Sequence, residues 1–298
     1  MDIIKDIKGL KVGKVIESPI MRNYTTYKVG GKAICIVIPN SVPDLIKLMN
    51  YIYTKKLKYK ILGNGSNLIF NDSGYEGVLI KLSKFDKFEQ FGNEFDIGAG
   101  VSTIKAAMKV SKEGYTGFEF ATGIPGTIGG AIYMNAGAYN SDMGYITKSI
   151  KVLTPDLKVK TMYNHELEFH YRTSFLKTHP NYICLEAKIA LKKGNKNVIM
   201  ELINERRTRR IASQPLEFPS AGSVFRNPTG DYAGRLIESL GYKGKGIGGA
   251  IVSDKHANFI INSGNAKGED IKELITKIQK EVKEKYNIEL KVEQEFVE

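Results

Sequence analysis

The stretch GFEFATGIPGTIGGAIYMNAGAY, residues 117–139, constrains the fold more than any other part of the chain. Six of its residues are glycine, yet it is apolar and poor in Ser and Pro, so it is neither a flexible linker nor a disordered segment. Glycine at this density points to backbone in close approach to something flat or anionic, because a missing Cβ and access to positive φ permit that contact. The residues alone also allow a plainer reading, a set of tight turns between core strands.

The segments before it alternate in character. Ala33–Pro39 is a continuous apolar run that reads as a buried strand, and SVPDLIKLMNYIYTKK follows as a helix with Ser41 as its N-cap. The strand YKILG and a Gly-rich turn come next. That order resembles the start of a dinucleotide fold, but LGNGSNLIF has Leu68 where the G-x-G-x-x-G fingerprint needs its third glycine, and a strand follows instead of a helix. A Rossmann reading fails. A P-loop fails too, since GYKGKGIGG lacks the Lys-Ser/Thr ending.

In residues 84–118 short strands precede a helix, VSTIKAAMKVSKEG, that stops at Gly114. After Ser149 the chain reads as the strands IKVLTP, KVKTMY and YICLEAKIAL. A charged helix, NVIMELINERRTRRIAS, then halts at Gln214-Pro215, the expected hinge into a second region. Beyond it lie a helix (AGRLIESLG), the strands GAIVS and NFIINS, a long helix, and a last strand, NIELKVEQEF. Ile271, Leu274, Ile275, Ile278 and Val282 form one stripe of the long helix, which marks it as a core helix.

Composition bounds the function. With 298 residues and 42% hydrophobic content the chain can bury a real core. No run is long and apolar enough for a membrane span, and no signal-peptide core is visible, so a cytoplasmic protein without membrane contacts is expected. The formal charge of +12 suits a polyanionic partner. Basic residues are interleaved with acidic ones, as in KGEDIKELITKIQKEVKEK, and no nucleic-acid module or basic tail is present, so a nucleic acid is not expected; a diphosphate-bearing small molecule qualifies, and plain solubility is the rival reading of the excess charge. Cys35 and Cys184 each lie in a strand-like run without metal-ligand spacing; buried thiols and no metal site follow. His165 and His170 match no motif and read as exposed polar residues.

Four separated stretches carry a resemblance: TTYKVGG followed by LGNGSNLI; GIPGTIGGAIYMNAGAY; YRTSF; and PSAGSVFRNP followed by AGRLIESLGYKGKGIGGAIVSDKHANFIIN. Together, and in this order, they resemble the UDP-N-acetylenolpyruvoylglucosamine reductase family over nearly the whole chain. The resemblance implies an α+β fold: an FAD-binding region of the vanillyl-alcohol-oxidase (PCMH-like) type in two subdomains, 1–83 and 84–200, then a C-terminal α/β substrate domain, 201–298. It implies non-covalent FAD, NADPH and a UDP-sugar as ligands, and a monomeric enzyme. A different FAD-dependent oxidoreductase of the same superfamily is the alternative.

The chemistry implied is hydride transfer to the enolpyruvyl double bond, followed by protonation of the neighbouring carbon. Negative charge that grows on the substrate carboxylate must be stabilised and a proton supplied. By resemblance Arg172 of YRTSF and Glu293 of the last strand are the stabilisers, and Ser223 is the proton donor. On residues alone Arg172 also reads as a strand arginine paired with Glu168, and Ser223 as a turn hydroxyl. The family pattern Leu-x-x-Glu-Val-Arg stands here as Leu290-Lys291-Val292-Glu293-Gln294-Glu295. Glu295 therefore competes with Glu293, and strand alternation puts both on one face.

For the cofactor, the resemblance assigns backbone amides of Gly63, Asn64, Gly65, Ser66 and Asn67 to the FAD pyrophosphate, with Leu62 and Leu68 flanking them. Thr122, Gly123, Ile124, Pro125, Gly126, Gly129 and Gly130 are assigned to the flavin and ribityl chain. Asn227, Lys243, Lys255 and His256 are candidates for the UDP-sugar, with solvated surface as the rival reading of the lysines. Of the spread cluster Arg206, Arg207, Arg209 and Arg210, at most two can face one ligand, and Arg209 is the candidate. No room is seen between Gln214 and Ser223 for the tyrosine-bearing insertion of one branch, so the chain resembles the shorter branch.

Overall fold

The computed structural model describes residues 2–298. They form two compact units that do not follow chain order. The first comprises Met1–Glu17, Cys35–Gly63 and Gly77–Arg207; the second comprises Ser18–Ile34, Asn64–Glu76 and Thr208–Glu298. The sequence reading divides the chain consecutively, whereas these units interleave. The charged helix, Lys196–Ser213, does stop before Pro215, but the chain passes between units inside it, after Arg207.

A four-stranded sheet, most of whose residues belong to the first unit, has the order Gly13–Glu17, Ala33–Pro39, Tyr75–Ile80, Tyr59–Ile61. Ala33–Pro39 is the expected buried strand, with Cys35, Ile36 and Val37 fully buried. The helix Val42–Thr54 begins where Ser41 accepts a hydrogen bond from the Asp44 N–H, and Leu45, Leu48, Met49 and Ile52 are buried along it. Tyr59–Ile61 pairs in parallel with the end of Tyr75–Ile80, so both chains leave the sheet at the same edge.

A five-stranded antiparallel sheet completes that unit, in the order Val159–Tyr163, Thr147–Leu153, Ile183–Ala190, Glu94–Gly98, Phe88–Phe91. Phe95, Ile97, Ile150, Val152, Ala187 and Ile189 are all buried. Each of the larger side chains contributes roughly 1.5–3 kcal/mol by leaving water. The helix Thr103–Lys112 runs from Ser102, whose hydroxyl caps the Lys105 N–H, to Gly114 at φ 79°, the expected stop.

In the second unit the long helix Gly268–Tyr286 buries the expected stripe of Ile271, Leu274, Ile275, Ile278 and Val282. These residues share one core with Leu236, Ile237, Val252, Ile260, Val224 and Phe225. The expected last strand is not continuous. Regular pairing begins only at Glu295–Val297, parallel to Leu68–Phe70, while Val292 bridges Phe225. No helix among the described residues is long and apolar enough to cross a membrane.

Candidate active site

Arg172, in the first unit, does not lie on a strand. His170 and Thr173 exchange backbone hydrogen bonds at 3.1 Å, closing a tight turn in which Arg172 takes φ 59°. A non-glycine residue in the left-handed region is uncommon and is held there by its surroundings. Those surroundings are the end of the glycine-rich stretch. Asn135 Nδ2 donates to the His170 carbonyl at 3.0 Å, the Ser174 hydroxyl donates to the Tyr133 carbonyl at 2.9 Å, and Arg172 Nη2 donates to the Gly137 carbonyl at 2.8 Å. Asn135 is itself left-handed, at φ 43°, and buried. Its Oδ1 accepts from the Gly144 N–H at 2.9 Å. Two motifs that are distant in sequence thus form one scaffold, and the strand reading of Arg172 is replaced by a strained, clamped turn with the ring of Tyr171 5.0 Å from the guanidinium.

Ser223 and Glu293 both belong to the second unit. Ser223 precedes Val224 and Phe225, which are buried in the core. Asn258, 4% exposed, fixes this segment three times: its carbonyl accepts from Val224 N–H, its Oδ1 accepts from Phe225 N–H, and its Nδ2 donates to the Phe225 carbonyl, all at 2.8–2.9 Å. On the other side the Glu293 N–H donates to the Val224 carbonyl at 2.8 Å, and Arg226 N–H donates to Lys291 at 2.9 Å. The Glu295 N–H instead donates to the Asn67 carbonyl at 2.9 Å. The two carboxylates expected on one face of one strand therefore sit where the chain changes partner. Gln294 between them is buried, donates to the Ala221 and Gly222 carbonyls at 3.2 and 3.1 Å, and accepts from the Tyr27 hydroxyl at 3.2 Å.

The cradle turn shows why small residues are required. Gly65 takes φ +63°, and a Cβ there would stand 2.3 Å from the Tyr24 carbonyl. In the first unit a Cβ on Gly63 would stand 2.9 Å from Thr127 Oγ1. Leu62 is buried and Asn64 exposed; Ser66, Asn67 and Leu68 are half-buried. Asn67 also donates through Nδ2 to the Glu293 carbonyl at 3.1 Å, so its side chain braces the segment just before the strand Glu295–Val297.

In the glycine-rich stretch the plainer reading holds in part. Gly137 has no room for a Cβ beside Ser141 and Asp142, which is a packing demand of the protein. Gly130 is different: it is exposed and a Cβ there would meet only Thr127 Oγ1 at 3.5 Å, an ordinary contact. Among the described residues nothing near Gly130 excludes a Cβ. Thr122, Gly123, Ile124, Gly126 and Gly129 are half-buried, and Pro125 is exposed.

Of the UDP-sugar candidates, Lys243 pairs with Glu238 at 2.7 Å and Lys255 with Glu217 at 2.8 Å. Burial, then the nearby Lys243 charge, lower the His256 pKa, so these two residues lie in one electrostatic neighbourhood. Asn227 accepts from the Ala233 N–H at 3.1 Å, at the start of the helix Ala233–Ser239. Arg209 is exposed on the charged helix.

Residues 33–162 match the model of an FAD binding domain, and 214–297 match that of the UDP-N-acetylenolpyruvoylglucosamine reductase C-terminal domain. The UDP-N-acetylenolpyruvoylglucosamine reductase of Bacillus licheniformis is 42% identical over 296 residues, 99% of this chain and 98% of its own. The chain belongs to the UDP-N-acetylenolpyruvoylglucosamine reductase family. The protein of that name from Anoxybacillus flavithermus is 44% identical over 98% of this chain. A crystal structure of UDP-N-acetylenolpyruvylglucosamine reductase from Thermus caldophilus has a TM-score of 0.82 at 31% identity, covering 96% of this chain and 98% of that one. Phl p 4.0202, a glucose dehydrogenase, shares the fold alone over 64% of this chain, with a TM-score of 0.52 at 11% identity. The α+β fold with a vanillyl-alcohol-oxidase-type FAD-binding region and a C-terminal reductase domain is thereby established.

Asn135, Asn258 and Gln294 were not singled out from the sequence. Each is a buried amide that satisfies backbone groups of a segment carrying a candidate site residue, and a lone Asn or Gln in an apolar run was the available signal.

Proposed function

We infer that this chain reduces UDP-N-acetylglucosamine enolpyruvate to UDP-N-acetylmuramate at the expense of NADPH, through bound FAD, in peptidoglycan precursor synthesis. The observation that carries this reading is identity above 40% along essentially the full length of reductases of that name. FAD, when bound, supplies a relay that accepts hydride from NADPH and passes it to the terminal enolpyruvyl carbon.

The protein's residues then act on the charge and the proton. Arg172 presents a planar, permanently charged fork suited to a carboxylate that gains electrons. Ser223 donates the proton to the carbon next to that carboxylate; a hydroxyl is a weak acid, but the carbanion is strongly basic. Glu293, in its protonated or hydrogen-bonded form, assists at the same carboxylate. Its backbone bond to Val224, one residue from Ser223, favours it over Glu295. Gly63, Asn64, Gly65, Ser66 and Asn67 offer the pyrophosphate amides, with Gly123, Gly126, Gly129 and Gly130 along the flavin. Asn227, Lys243, Lys255, His256 and Arg209 are assigned to the UDP-sugar, the lysines exchanging their carboxylate partners for phosphate. NADPH and nucleotide sugars are cytoplasmic compounds, so we place the enzyme there, acting as a monomer.

Anaerobic titration with NADPH and then with substrate tests the reading. The flavin absorbance should bleach and recover. In Ser223→Ala the bleaching should persist and the recovery should fail; unimpaired recovery rejects Ser223 as proton donor.

A further inference from the structure

Lys81 is a half-buried cation that makes no salt bridge among the described residues. It directly follows the strand Tyr75–Ile80, in which Ile80 stands opposite Ile61 of the parallel strand Tyr59–Ile61. The chain leaving Tyr59–Ile61 donates from Leu62 N–H to the Ile80 carbonyl at 2.8 Å and then turns at Gly63. Gly63 and Lys81 are thus side by side at the carboxyl ends of two parallel strands, the edge at which α/β sheets hold their ligands.

The Lys81 ammonium donates to the Gly63 carbonyl at 3.3 Å, a long bond that uses one of three donors. Burial lowers its pKa and no carboxylate opposes that shift; a desolvated cation in this condition is stabilised by any anion that reaches it. Gly63 also abuts Thr127, whose Oγ1 accepts from the Gly130 N–H at 3.3 Å. Within the first unit, then, Gly63 of one glycine motif and Gly130 of the other meet at Thr127, beside a half-buried lysine that makes no salt bridge among the described residues.

We propose that the Lys81 ammonium binds the diphosphate of the dinucleotide cofactor beside Gly63, adding a full positive charge next to that backbone amide. The proposal rests on the FAD reading given above. The alternative role for Lys81 is a strap that only holds the Gly63 carbonyl.

Glutamine and arginine at position 81 separate these roles, because Gln keeps a donor for Gly63 without charge and Arg keeps both. Apoprotein of the wild type, Lys81→Gln and Lys81→Arg would be titrated with FAD by quenching of flavin fluorescence, with the melting temperature of each apoprotein recorded. The expected result is FAD binding weakened about 10- to 100-fold in Lys81→Gln and by less than about 5-fold in Lys81→Arg, with unchanged apoprotein melting. Wild-type affinity in Lys81→Gln overturns the proposal, as does equal loss in both variants, which marks a geometric strap. If the folded wild type binds no FAD, the reading of the function falls, and this proposal with it.

Discussion

The Arg172 guanidinium donates to the Gly137 carbonyl at 2.8 Å, so the charge assigned to the substrate carboxylate is aimed by the far end of the stretch assigned to the flavin. Lysine in its place keeps the charge but loses the planar fork and the aim. Arg172→Lys should slow reoxidation of reduced flavin by substrate about 10²- to 10³-fold and leave reduction by NADPH unchanged. Stopped-flow absorbance separates the two half-reactions, and an equal effect on both contradicts the assignment.

Asn135 satisfies the His170 carbonyl and the Gly144 N–H from a buried, left-handed position. Alanine leaves both groups unpaired and strains the backbone. Urea denaturation of Asn135→Ala should show a loss of about 2–4 kcal/mol. The reoxidation step should slow as well, because the turn carrying Arg172 loses its tether.

Gln294 bonds the Ala221 and Gly222 carbonyls just before Ser223, and the Tyr27 hydroxyl. Gln294→Leu keeps the volume and removes those bonds, so stability should fall by about 1–3 kcal/mol. Proton delivery should weaken less than in Ser223→Ala. A Gln294→Leu protein as stable as the wild type would mean that these bonds contribute nothing net.

His256 has a pKa lowered first by burial and then by the Lys243 charge. The folded state therefore resists a proton that the unfolded chain accepts near pH 6.5. Stability is full above that pH and is lost as pH falls from about 6.5 toward the lower folded value. Melting temperatures between pH 7.5 and 5.5 should fall less steeply in His256→Gln than in the wild type; parallel slopes would exclude the residue as a source.

Cys35 and Cys184 are buried, and desolvation pushes their thiols up to about 11 and about 12. Neither should react with a thiol-disulfide reagent at pH 8 in the native protein, and both should react once it is denatured. Rapid native labelling of either one would show that its strand opens.

The local features were legible from the residues. Ser41 before an apolar-periodic run, Gly114 after one and the stripe from Ile271 to Val282 all report interactions within a turn or two of chain. The last strand was misread because its pairing is not local: Val292 meets Phe225, and Glu295 meets the Leu68 segment, so one apolar-polar run is divided between two partners. The rival reading of Arg172 as a strand arginine fails for the same reason. Its conformation is set by Asn135 and Gly137, in another motif, and strand periodicity around YRTSF carries no trace of them. The glycine-rich stretch was half legible, since composition shows that backbones approach closely but not whether protein or ligand is the neighbour.

The interleaving of the two units bears on how the chain is made. Residues 18–34 and 64–76 leave the ribosome long before 208–298, the segment with which they form one unit. Tyr27, an early residue, has Gln294 as its hydrogen-bond partner. The second unit therefore matures only after residues 208–298 have been made, and its early segments must wait with apolar surface uncovered. Such long-range closure slows folding, and it makes the nascent enzyme dependent on whatever shields those segments in the meantime.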